Sequence, residues 1–200
     1  MPPPAEASLI ADLWPLFIVV FSGLLPGERL TPLHVIGALV AFAGAALVVA
    51  GGGVGLSRAA LPGYALAFLC ALTWSGYSLI SRRLGAVPTA AVAVYCLATA
   101  VLSGAAHLML EETVWPASAT GWASVLALGL GPVGLAFYTW DVGVKRGDIQ
   151  ILGTASYAAP LLSTLALIAG GVAAASLTLA LSAALITAGA LLAARASRSG

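Results

Sequence analysis

Trp74 and Tyr77 stand three residues apart in one apolar run, so on a helix their rings share a face. Aromatic belts form where a bilayer meets water, but this pair lies near the middle of its run. Rings at that depth suit a cavity that takes an apolar or aromatic ligand, with plain core packing as the competing reading. Tyr157, one turn before Pro160, is a similar case, because its hydroxyl needs a partner wherever water is excluded. Pro15 and Pro160 themselves interrupt apolar runs. A proline removes a backbone hydrogen bond and frees a carbonyl, so each run is expected to kink within the helix as a gating or cavity-forming bend.

None of this chemistry is covalent. His34 and His107 have no matching serine motif, and metalloprotease and aspartyl-protease signatures are absent, so no catalytic residue is expected. Cys70 and Cys96 form no CxxC pair and read as helix-core packing; neither a metal site nor a cofactor is expected. The ionisable residues point the same way. Asp12 and Asp141 fall close to the ends of their runs, Glu28 falls in a turn, and His107 lies near the outer end of its run, so no mid-membrane proton carrier is expected. Asp141 and Asp148 flank Lys145 and Arg146 as a solvated charge cluster. Trp115 and Trp122 read as belt residues.

The elements that position these side chains follow from composition. Hydrophobic residues make up 61% of the 200, charged residues 8%, and mean hydropathy is +1.07. A soluble domain carries roughly 25% charged residues, so this chain has too few to face water. The net charge of +1 suggests no nucleic-acid partner. Seven apolar segments are expected as transmembrane helices: 8–26, 33–50, 61–80, 89–110, 122–142, 149–170 and 177–194. Each approaches the roughly 20 residues that cross the hydrocarbon. Breakers separate them, including Gly51-Gly52-Gly53 and Lys145-Arg146-Gly147-Asp148. With connectors alternating sides, one side collects Arg29, Arg82, Arg83, Lys145, Arg146, Arg195 and Arg198, and the other only Arg58. By the positive-inside rule the first side is cytoplasmic, with the C-terminus on it. The only lysine, Lys145, lies in a connector, which excludes a retinal-binding seven-helix protein.

A shift of 145 positions lays Pro15 on Pro160, Thr31 on Ser176 and Gly44 on Gly189. The first helix pair thus resembles the last, with three spans before the second copy. The fold class expected is all-α: a polytopic membrane bundle of about seven helices, part of an inverted five-plus-five helix repeat. Residues 1–55 form the closing helix pair of a first repeat and residues 56–197 a complete second one. Gly37, Ala41 and Ala45 make a small-residue face for close packing within the bundle or for self-association.

Leu13-Trp14-Pro15-Leu16, leading to Leu25-Pro26-Gly27-Glu28-Arg29-Leu30, looks like the end of an EamA-type repeat of the drug/metabolite transporter superfamily. The stretches from Tyr138 to Asp148 and from Gly153 to Thr164 resemble the branch that holds bacterial aromatic amino acid exporters. The resemblance runs from about Leu13 to Ala194. It implies a ten-helix exporter of the bacterial inner membrane, with these spans as helices four to ten and the first three absent. It also implies alternating access that exports small, amino-acid-like metabolites, aromatic or otherwise neutral. Trp14, beside the Pro15 bend, and Trp140, within the signature before Lys145, join Trp74, Tyr77 and Tyr157 as candidate substrate-binding residues. Thr73, Ser75, Ser78, Ser163 and Thr164 are candidate polar contacts. The partners implied are the lipid bilayer and the small-molecule substrate. The alternative reading is a truncated, non-transporting fragment of such an exporter.

Overall fold

The computed structural model describes residues 4–49, 58–171 and 176–199. The Gly51-Gly52-Gly53 connector and the expected boundary at residues 55 and 56 lie outside them. Ten α-helices follow one another: α1 Pro4–Ala11, α2 Trp14–Ser22, α3 Pro32–Val49, α4 Leu61–Arg83, α5 Ala91–Leu110, α6 Ala119–Leu128, α7 Ala136–Arg146, α8 Ile149–Ala155, α9 Ala158–Ala169 and α10 Leu177–Ser199. A 3₁₀ turn, Arg58–Ala60, leads into α4, and a π-helical stretch, Gly129–Leu135, joins α6 to α7. No strand occurs among the described residues.

Five segments are long and apolar enough to cross a bilayer: Leu61–Arg83, Ala91–Leu110, Ala119–Arg146, Ile149–Ala169 and Leu177–Arg198. Two shorter apolar stretches, Ala7–Ser22 and Pro32–Leu47, complete the seven expected. A helix satisfies its own backbone, the condition for sitting in hydrocarbon.

The chain divides into two compact units. Met1–Ile80 with Asp148–Gly200 is one, and Ser81–Gly147 is the other. In the first, α3 and α10 run antiparallel and pack backbone to backbone. A Cβ on Gly37 would lie 2.7 Å from Gly189 O, and one on Gly44 would lie 2.9 Å from Ser182 O. Only glycine allows such an approach. Ser182 Oγ also donates to Gly44 O at 2.7 Å. The 145-residue shift carries Gly44 onto Gly189 and Gly37 onto Ser182, so the shift exchanges these two contacts. The small-residue face of α3 is therefore covered inside the chain: Ala41 and Ala45 are buried, with Ile186 and Tyr157 in the same cluster. The paired Thr31 and Ser176 immediately precede α3 and α10, and Ser176 Oγ caps its helix by accepting from Leu179 N at 3.2 Å. His34 is buried: Nδ1 accepts from Thr31 N–H at 3.1 Å, and so Nε2–H faces Ser197 Oγ, also at 3.1 Å.

In the second unit the expected solvated charge cluster is corrected. Asp141 is 2% exposed, and its carboxylate meets Lys145 Nζ at 2.6 Å while Ser81 Oγ donates to its other oxygen. Lys145 Nζ also donates to Val87 O at 2.9 Å. Arg82 donates to Val144 O, Lys145 O and Gly147 O at 3.0, 3.2 and 2.7 Å, filling the orphan carbonyls that end α7. The reason is the helical period: Asp141 and Lys145 are one turn apart, so they share a face, and that face turns inward. In the first unit, Asp148 is the N-cap of α8, accepting from Ile151 N at 2.8 Å. Cys70 is exposed on α4, against the core role expected, and Cys96 is half-buried. The outer faces of α5 and α6 carry Val94, Leu97, Val101 and Leu126 uncovered, and Leu130 in the π-helical stretch is exposed as well.

Candidate functional site: two helix breaks and an aromatic cluster

The first unit holds two broken apolar segments. Between α1 and α2 the chain makes one irregular turn at Asp12–Leu13, and between α8 and α9 another at Ser156–Tyr157. Leu13 has ψ −14° and Tyr157 ψ −11°, a tightening away from the α-helical value near −42°. This corrects the kinks expected inside continuous helices. Pro15 and Pro160 sit in the first turn of α2 and of α9, where a missing N–H removes no intrahelical bond. The break therefore falls two to four residues before each proline. Ser156 O, which Pro160 cannot serve, accepts from Ala159 N at 3.0 Å.

The two breaks meet. Leu16 N–H, an orphan donor in the first turn of α2, donates to Tyr157 Oη at 3.1 Å. Tyr157 is 1% exposed, and its ring lies edge-on to Phe42 at 5.7 Å. Beside it, α8 touches α2 at Gly153, where a Cβ would lie 3.1 Å from Pro15 O and 3.0 Å from Val19 Cγ2. Pro15 is fully buried there, whereas Pro160 is half-buried.

Around the start of α2 the aromatic residues gather. Trp14 and Trp74 meet edge to face at 6.1 Å, and Trp74 and Tyr77 lie 5.4 Å apart with planes 30° from parallel. One turn along α2, Phe17 stacks on Phe21 and meets Phe68 edge-on, both at 5.6 Å. Ser75 Oγ lies 2.9 Å from Trp14 O and 2.6 Å from Ala71 O, so α4 also serves the backbone beside the first break. Trp14, Trp74 and Tyr77 all remain partly exposed. Such rings offer stacking, apolar contact and cation–π attraction, and no covalent chemistry.

The structure thus brings Trp14, Pro15, Trp74, Tyr77 and Tyr157 into one neighbourhood. Trp140 lies half-buried on α7, in the other unit, and Ser163 lies on the exposed face of α9. Ser75 and Ser78 are fully buried and bond backbone carbonyls, as does exposed Thr73, and Thr164 bonds Pro160 O at 2.9 Å. Sequence reasoning passes over Pro132, which sits in the π-helical stretch of the other unit. Its signal is the run Gly129-Leu130-Gly131-Pro132-Val133-Gly134, since a Cβ on Gly134 would lie 2.9 Å from Gly129 O. π-Segments recur at functional sites. Among the described residues, no three His, Cys, Asp or Glu side chains are grouped as metal ligands are.

Residues 2–50 and 61–195 match the EamA-like transporter family. The chain belongs to that family. It is 55% identical over 193 residues to the aromatic amino acid exporter YddG of Ancylobacter novellus, covering 96% of this chain and 67% of that protein. It is 28% identical over 166 residues to the exporter of the same name from Salmonella typhimurium, covering 80% of this chain and 56% of that protein. A crystal structure of a protein superposes on the whole chain with a TM-score of 0.95 at 53% identity, covering 70% of its own length. This EamA-family chain thus spans about two thirds of the first relative and a little over half of the second. It is an all-helical, multi-pass membrane protein of a transporter family.

Proposed function

We propose that this chain serves export of neutral amino acids, aromatic ones foremost, from the bacterial cytoplasm across the inner membrane by alternating access. The observation that carries the reading is the pair of helix breaks joined by the Leu16–Tyr157 bond, with Trp14, Trp74 and Tyr77 collected beside them. The names of the two YddG relatives, both exporters of aromatic amino acids, support the substrate class. Trp74 and Tyr77 receive the substrate ring, Trp14 closes its edge, and Tyr157 holds the two breaks in register. Pro15 and Pro160 keep the breaks from reverting to unbroken helix, so that the half-helices swing as units. No bond is made or broken in the substrate.

The two-repeat division at 1–55 and 56–197 is supported by the exchange of the Gly37 and Gly44 contacts. The charge pattern supports a cytoplasmic C-terminus. The face of Gly37, Ala41 and Ala45 is covered by α10 and is not open to self-association.

Export of radiolabelled tryptophan, phenylalanine and threonine from cells expressing this chain tests the proposal. Tryptophan and phenylalanine are expected to leave faster than from cells with empty vector, and Trp74→Ala is expected to slow them more than it slows threonine. Efflux no faster than the empty vector for all three would sink it.

A further inference from the structure

One carboxylate stands between the two apolar half-helices of the first segment. Asp12 closes α1 with its backbone N–H on Ser8 O at 2.8 Å, and two residues later Trp14 opens α2. It falls at the turn between the two, toward the start of the apolar stretch Ala7–Ser22. The half-helix that follows it reaches the break of the α8–α9 segment through the bond from Leu16 N–H to Tyr157 Oη at 3.1 Å.

The other described aspartates have partners. Asp141 has Lys145 and Ser81, and Asp148 caps α8. The Asp12 side chain makes no hydrogen bond or ion pair among the described residues. It is only half-buried, so its oxygens stay reachable. A lone carboxylate within a membrane segment is costly unless something neutralises it. The negative end of α1 disfavours its charge, and the positive end of α2 just beyond favours it. Two residues on in the chain is Trp14, whose ring meets Trp74, and such rings attract cations and apolar groups alike.

Resting on the transport reading, we propose that Asp12 receives the primary ammonium group of the transported amino acid while that substrate's side chain lies against Trp14, Trp74 and Tyr77. The carboxylate accepts charge-assisted hydrogen bonds from the ammonium, and the rings accept the remainder. Ligands with an ammonium group and an apolar body are selected. Carboxylates without an amine are refused, because two negative groups would meet in a medium of low dielectric.

The test is equilibrium binding by the purified chain in lipid nanodiscs with three probes: phenylalanine, phenethylamine and 3-phenylpropionate. Wild type is expected to bind the first two more tightly than the third. Asp12→Asn is expected to weaken both amines by about ten- to a hundredfold, as the loss of a hydrogen bond to a charged group implies, and to leave 3-phenylpropionate unchanged or tighter. Phenylalanine binding within twofold of wild type in that variant overturns the inference, as does equal weakening of all three probes. Asp12→Glu keeps the charge but moves it by one methylene. It is expected to hold phenethylamine within tenfold of wild type, and it carries the test if the asparagine variant does not fold; a loss as deep as that of Asp12→Ala overturns the assignment. A wild-type chain that binds phenylalanine without preferring amines defeats the role of Asp12 and leaves transport standing. One that binds none of the three defeats both.

Discussion

Several polar side chains here are committed to backbone, and the energetics of the fold turn on them. Tyr157 gives its hydroxyl to Leu16 N–H across 141 residues of sequence. Replacing it by phenylalanine keeps the ring against Phe42 and removes only the acceptor, so a loss of about 1 kcal/mol is expected, read as a lower unfolding temperature in detergent. Asp141→Asn does more, because it leaves the Lys145 ammonium, 8% exposed, without its counter-charge. A loss of about 3 kcal/mol is expected, and measurable recovery when Lys145→Met is added would show that the penalty comes from the orphaned ammonium. That pair was invisible as a buried one in the sequence, where four charges in eight positions read as a wet turn. The rings of Trp74 and Tyr77 were legible from three-residue spacing alone. Their meeting with Trp14 was not, since sixty residues separate the two stretches.

Among the helices, spacing located the apolar segments well and their interruptions less well. Pro15 and Pro160 marked the two broken segments, but a proline in a sequence does not say whether the helix bends around it or restarts at it. The restart wins because the first helical turn has no bond for the missing N–H to lose. If the breaks serve movement, Pro15→Ala is expected to leave thermal stability unchanged or higher while tryptophan efflux falls; equal efflux would argue against a gating role. The glycines of α3 and α10 act differently, as points of backbone contact. Gly37→Leu is expected to destabilise by about 1–3 kcal/mol, because its Cβ would stand 2.7 Å from Gly189 O. Gly104→Leu, on an open face of α5, is expected to change little, and the difference in unfolding temperature between the two checks the crossing.

For the molecule as a whole, the side on which positive charge collects is the testable quantity. Arg83 ends α4 and Arg146 ends α7, and both are exposed. Lys145 is a poor reporter, being held by Asp141 and Val87 O. With Cys70 and Cys96 replaced by serine, single cysteines at 83 and at 146 are expected to react with an impermeant maleimide from the cytoplasmic side only. Labelling from opposite sides would overturn the topology, and the inverted repeat with it.

The residues alone determined that this chain is a series of apolar helical segments suited to a membrane, and which family it resembles. Those properties depend on composition, run length and local motif, and each is additive along the chain. The shift of 145 positions was readable for the same reason. Only the tertiary structure decided that Gly37 faces Gly189 and Gly44 faces Ser182, that Tyr157 caps α2, that Asp141 is shielded, and that Asp12 stands unpaired between half-helices. These are relations between residues far apart in sequence. They are set by which helix faces fit closely enough to exclude everything else, and a one-dimensional pattern of apolar residues leaves that choice open.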